Sequence, residues 1–108
     1  MSLSTHVLDT ARGVPAAGIE VALIAVAGAK ELARGVTSED GRVAAPFGGL
    51  LGPGVYELRF FVRAYFERHQ LPTFYDWIPI RFTIHDASQH HHVPLLLSPY
   101  GYSTYRGS

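Results

Sequence analysis

Apolar residues recur with period two in several short runs of this chain: Ile19, Val21 and Leu23; Val55 with Leu58, Phe60 and Val62; and Ile78, Ile80, Phe82 and Ile84. Side chains of a strand alternate between its faces, so this period marks half-buried β-strands and argues against amphipathic helices. Between the runs stand segments that reverse the chain: "RGVPAAG" at Arg12 to Gly18, "SEDGR" at Ser38 to Arg42, "GGLLGPG" at Gly48 to Gly54 and "SPYGY" from Ser98. Their glycines, prolines and aspartates supply the dihedrals that tight turns need. Seven or eight short strands at this spacing predict an all-β, antiparallel β-sandwich. The segment "RAYFERHQ", Arg63 to Gln70, lacks alternation, is rich in helix formers and stops before Leu71-Pro72, which predicts one short helix.

With 108 residues the chain is expected to form a single domain, residues 1–108, with residues 1–3 set aside as a candidate cloning remnant. No internal repeat, low-complexity tract or linker divides it. The composition is 47% hydrophobic and only 17% charged, more apolar than a small monomer readily hides, which points to self-association. Nine basic residues balance nine acidic ones, so there is no positive field to hold a phosphate backbone, and nucleic acid is not an expected partner. There is no cysteine for a disulfide or a thiolate metal site. The longest apolar runs, such as Val21 to Ala27, are far too short to span a bilayer, and "MSLSTHVLDT" has neither the basic start nor the apolar stretch of a signal peptide. A soluble cytoplasmic protein without membrane contact is the expectation.

The last two strands are placed at about His91 to Ser98 and Tyr102 to Arg106, around a Pro99-Tyr100-Gly101 corner. Pro94 cannot donate to a ladder, so a strand start, an edge or a bulge is expected there, and a bulge would re-aim His92. No phosphate loop, nucleophile elbow or helical His-Glu pair occurs, so any chemistry must come from scattered residues that the fold collects. Of six histidines, the groups that exchange protons near neutral pH, His6 lies in a strand-like run and taken alone reads as an ordinary edge residue. His90 and His92 share a strand face. A metal shared by them would need further ligands and second-shell support that the local sequence does not offer. His90 and His91 read as solvated residues at a strand start. Arg42 after its Asp-Gly turn reads by itself as surface. Arg106, beside the terminal carboxylate, offers a rigid fork of donors for a planar, oxygen-rich ligand. Tyr100, Tyr102 and Tyr105 read mainly as packing of a final strand.

Taken together, "LSTHVLDTARGVPAAG", "TSEDGR" and "HHVPLLLSPYGYSTYRGS" resemble the transthyretin-related 5-hydroxyisourate hydrolases of urate breakdown, over Ser4 to Ser108. The closing "YRGS" is the mark that separates these enzymes from transthyretin, whose last strand ends in small apolar residues. The resemblance implies two four-stranded sheets with one short helix. It also implies a homotetramer, a dimer of dimers with active sites at the subunit interface, and no metal or organic cofactor. The implied catalytic residues are His6, Arg42, His92 and Ser108, with Tyr105, Arg106 and Gly107 binding substrate. The implied reaction is hydrolysis of 5-hydroxyisourate to 2-oxo-4-hydroxy-4-carboxy-5-ureidoimidazoline, a cyclic amide opening in purine catabolism. His6 and His92 can share the roles of base and acid in either order; His92 is favoured as the residue that activates water, with His6 as its partner and Arg42 stabilising charge. Ser103, Thr104 and Ser108 are hydroxyls near histidines, but no activated-nucleophile arrangement surrounds them, which favours direct attack by water over a covalent route. A transthyretin-like carrier is the alternative, and the polar His92, Arg106 and Ser108 fit an apolar cargo poorly. The one visible departure is His91, where the family carries tyrosine; a change of surface chemistry and not of reaction is expected.

Overall fold

The computed structural model describes residues 3–44 and 47–108. Among the described residues, eight strands form two four-stranded sheets. The first sheet holds β1 (Leu3–Asp9), β2 (Val14–Pro15), β7 (His91–Ser98) and β8 (Gly101–Thr104), in the order β2-β1-β7-β8. The second holds β3 (Glu20–Ala25), β4 (Lys30–Val36), β5 (Gly54–Phe61) and β6 (Ile78–Ile84), in the order β4-β3-β5-β6. One α-helix, α1 (Val62–Arg68), follows β5, and a short 3-10 turn at Ala27–Ala29 links β3 to β4. No helix among the described residues is long and apolar enough to cross a membrane.

The alternating residues meet between the sheets. Leu3, Val7, Val21, Leu23, Leu58, Phe60, Ile78, Leu95 and Leu97 are fully buried in one cluster with Tyr65 and Phe66 of α1. Each such large apolar side chain contributes about 1.5–3 kcal/mol on leaving water. Val55 falls out of phase with Leu58 and Phe60 and lies 42% exposed on the outer face. Leu3, set aside with Met1 and Ser2, is a fully buried residue of β1; Met1 and Ser2 lie outside the described residues. At the other end of β1, buried Asp9 accepts hydrogen bonds from the Tyr65 hydroxyl at 2.6 Å and from the amides of Ala11 and Arg12, both at 3.0 Å. A buried carboxylate needs such partners, and these tie α1 to the strand that carries His6.

Most pairings are antiparallel, but β1 runs parallel to β7, with Ser4 opposite His92 and His6 opposite Pro94. Parallel neighbours need a long crossover, and here the whole second sheet provides it. Pro94 therefore sits inside a central strand, and no bulge forms there. The Thr104 hydroxyl donates to the Pro94 carbonyl at 2.7 Å, so Pro94 directs its backbone polar edge, and its missing N–H, toward β8. The ladder runs from Ser98↔Gly101 to Leu95↔Thr104, lapses at Tyr105 and Arg106, and returns in the same register at an isolated His92↔Gly107 bridge. The last strand thus ends at Thr104 and not at Arg106, because the proline removes one donor from its ladder.

Candidate active site

The outer faces of the two sheets differ in chemistry. On the second sheet, Glu57 is largely buried between Arg59 at 2.8 Å and Arg81 at 3.2 Å, while Arg34 pairs with Glu20 and Glu31 at 3.1 and 2.7 Å. The two arginines hold the Glu57 carboxyl below the usual carboxylate range, chiefly through the Arg59 hydrogen bond. Arg34 also lies over Phe61 and Arg59 over Trp77. This face satisfies its own charges. The outer face of the first sheet presents Ser4, His6, Leu8, His92, Pro94 and Leu96 instead, the residues between the core positions of β1 and β7.

Strand pairing assembles the polar residues on that face. Ser4 and His92 are direct cross-strand neighbours, and His6 is diagonal to His92. Arg42 reaches the same edge by a bridge to His6, reinforced by the Val7 amide donating to the Gly41 carbonyl at 2.8 Å. Its turn is closed by the Gly41 amide on the Ser38 carbonyl at 2.9 Å and the Ser38 amide on the Arg42 carbonyl at 2.8 Å. The Arg42 guanidinium is half exposed and 3.7 Å from the Asp40 carboxylate, a loose contact that leaves it available to an anionic ligand. A hollow of about 360 Å³ lies beside it, lined by Ser4, Thr5, Ser38, Asp40, Arg42, Val43 and Ala44. On the other side of His92, the Gly107 amide donates to the His92 carbonyl at 2.8 Å. A Cβ at position 107 would run into the His92 ring, so only glycine brings the terminal segment this close.

His92 is half-buried, and its Nδ1 lies 2.7 Å from the Ser4 hydroxyl. That contact occupies one ring nitrogen and directs proton chemistry through Nε2. Burial is the main reason the ring titrates below the usual histidine range, and the positive charges of Arg42, His6 and His90 push the same way against a weaker pull from the Ser4 backbone. The neutral ring is the form that can take a proton from water. An NMR titration of the His92 ring protons is therefore expected to show a midpoint below about 6.5, with the neutral, basic form present above it and lost as pH falls through it; a midpoint at or above 6.5 would contradict this environment.

The remaining sequence-derived residues are placed less uniformly. Tyr105 is 58% exposed, and with Arg106 and His91 it lines a cavity of about 220 Å³ at the open edge between the sheets. Arg106 donates to Gln89 Oε1 at 3.1 Å and to the His90 carbonyl at 3.2 Å. Ser108 is exposed, one residue beyond the His92↔Gly107 bridge. Tyr102 packs edge-on against Tyr75, whereas Tyr100 and Tyr105 are exposed and not packed as a final strand would hold them. His91 does face away from His92, but it is only 8% exposed and bonded to the Gln89 carbonyl at 3.0 Å; the expectation of a solvated residue fails because β7 has already begun there and the residue points inward. His90 is exposed yet tied to the Ser4 hydroxyl at 2.8 Å. Among the described residues no group of three or more His, Cys, Asp or Glu is arranged to hold a metal ion, and His90 and His92 both turn onto Ser4. Ser4 itself was not singled out from sequence. Its period-two relation to His6 puts it on the same face, but its contact with His92 depends on a register that no local signal carries.

Comparison with known proteins shows the family and the fold. The model of the HIUase/Transthyretin family matches residues 3–107. The 5-hydroxyisourate hydrolase of Deinococcus radiodurans is 50% identical over 113 residues, covering 98% of this chain and 95% of its own. The structure of Klebsiella pneumoniae 5-hydroxyisourate hydrolase superposes with a TM-score of 0.88 at 38% identity, over 99% of this chain and 93% of that one. Sea bream transthyretin in complex with thyroxine superposes with a TM-score of 0.90 at 26% identity, over 99% of this chain and 95% of that one.

Proposed function

Because the chain belongs to the HIUase/Transthyretin family, we propose that it is an enzyme of purine catabolism that hydrolyses 5-hydroxyisourate to 2-oxo-4-hydroxy-4-carboxy-5-ureidoimidazoline. The observation that carries this reading is the pair of imidazoles, His6 and His92, held on one sheet face beside Arg42, with His92 engaged at Nδ1 and disfavoured as a cation. His92 Nε2 takes a proton from water as the oxygen attacks the ring acyl carbon. The oxyanion that develops is stabilised by Arg42, and His6 supplies a proton to the departing ring nitrogen as the carbon–nitrogen bond breaks. Tyr105, Arg106 and Gly107 contribute to substrate binding, and Ser108 hydrogen-bonds the ring through its hydroxyl or terminal carboxylate. Thyroxine-type carriage is not favoured, since imidazoles and a half-exposed guanidinium line this face.

In a single chain this face is open, whereas ring hydrolysis benefits from a site closed to bulk water. Leu8 and Leu96 flank the imidazoles, and an apolar surround of this kind suits contact with a second copy. The enzyme is accordingly read as a homotetramer, a dimer of dimers with the sites between subunits, acting in the cytoplasm. The test is the ultraviolet decay of 5-hydroxyisourate generated in place from urate by urate oxidase, on a preparation whose sedimentation reports its mass. Faster decay by a species of four chains is expected. Removing Ser108 should lower turnover about 10²-fold, as loss of a positioned transition-state contact does, with the far-ultraviolet circular dichroism unchanged. Uncatalysed decay in the presence of folded tetramer would refute the hydrolase reading, and full activity without Ser108 would remove the terminus from the site.

A further inference from the structure

One hydroxyl holds two imidazoles: Ser4 Oγ lies 2.7 Å from His92 Nδ1 and 2.8 Å from His90 Nε2. A serine hydroxyl has a single proton to donate and lone pairs to accept with. When both rings are neutral, the single Ser4 proton can serve only one of them, so at least one ring must donate an N–H to Ser4. The two tautomers are therefore coupled, because a pair in which both rings turn lone pairs to Ser4 leaves one short contact without a proton.

Resting on the hydrolase reading above, we propose that Ser4 and His90 are positioning residues that form a proton relay for His92. In the reactive arrangement His92 donates Nδ1–H to Ser4, Ser4 donates to His90 Nε2, and His92 Nε2 offers its lone pair to water. As Nε2 takes the water proton, the Nδ1 proton passes to Ser4 Oγ and the Ser4 proton passes to His90 Nε2. His92 ends neutral with its proton on Nε2. The positive charge sits on His90, which is exposed and releases a proton to solvent.

The surroundings give the relay a purpose. From the β1 side His92 is faced by Ser4, His6 and Arg42, from its own strand by His90, and from the terminal segment by Gly107, which carries no charge. A cation left on His92 would sit half-buried beside a guanidinium and another imidazole, whereas on His90 it is solvated. Arg106 serves the same device at one remove, since its bonds to Gln89 Oε1 and the His90 carbonyl brace the backbone that carries His90.

Kinetics of full-length Ser4→Ala, Ser4→Thr and His90→Gln test the relay. Ser4→Ala is expected to lower kcat about 10- to 100-fold with KM within about twofold, and Ser4→Thr, which keeps the hydroxyl, is expected to restore most of it. His90→Gln is expected to lower kcat, with recovery on adding imidazole to the buffer. Nitrogen-15 NMR of the imidazoles gives a readout without turnover: the tautomer balance of His92 should shift in Ser4→Ala and return in Ser4→Thr. Unchanged kcat in Ser4→Ala, or an unchanged His92 tautomer, would overturn the relay. If the wild type itself fails to hydrolyse substrate, the hydrolase reading falls, and the NMR coupling still decides the Ser4 contact.

Discussion

His92→Asn is expected to lower kcat/KM for 5-hydroxyisourate about 10³-fold, within the range lost when a positioned general base is removed, with little change in thermal stability. Asparagine keeps a polar group within reach of Ser4 but has no lone pair of imidazole basicity to take a proton from water. His92 lies on the outer face of β7, opposite the packed residues Val93 and Leu95, so the core does not sense the change. The measurement is initial-rate ultraviolet decay across a range of substrate concentrations, beside a thermal melt. A variant that retains a tenth or more of wild-type kcat/KM would move the base to another group, with His6 the next in line.

Gly41→Ala is expected to be the more damaging change to the fold. Gly41 has φ +79°, in the left-handed region, and an added Cβ would strike the Val7 carbonyl while standing 3.1 Å from Pro15 Cβ and 3.2 Å from His6 Cδ2. The conformation costs an alanine about 1–2 kcal/mol, and overpacking against backbone adds about 1–3 kcal/mol. A total of about 2–5 kcal/mol lowers the melting temperature by roughly 10–20 °C or more in a domain of this size. Gly49→Ala is the control, because Gly49 also has positive φ (+72°) but an added Cβ there meets nothing within 4 Å. Equal losses for the two variants would mean that backbone strain alone matters and that the close approach of the turn to β1 does not. Residual folded Gly41→Ala should also turn over poorly, since the Val7–Gly41 hydrogen bond and the bridge at His6 are what hold Arg42 beside the imidazoles.

How far the site was legible follows from the range of the interactions that build it. His6, Arg42 and His92 were marked by the family resemblance, while the local sequence supplied only the Asp-Gly turn before Arg42, whose shape is set within five residues from Ser38 to Arg42. Ser4 was passed over and His90 was read as a solvated residue on the His92 face, since nothing local distinguishes a serine that spans two imidazoles from one that faces water. Local sequence placed His91 at the start of a strand, but inward or outward depends on where the ladder begins, and a shift of one residue reverses every side chain. At Pro94 the missing donor was evident, whereas its outcome, a gap in the β8 ladder and no bulge, was set by which neighbour the proline's polar edge faces.

By itself the amino-acid order determined most of the strands, the short helix, the turns and most of the inward-facing set, because alternation and turn chemistry act within a few residues and need no partner; β2, inside a segment read as a turn, and β4 were not located. Tertiary structure alone decided the parallel pairing of β1 with β7, the contact of Ser4 with both His90 and His92, and the approach of Gly107 to His92. Ser4 and His92 are separated by 88 positions, and their register is fixed only when both sheets have packed on a common core, a cooperative outcome that no short segment encodes.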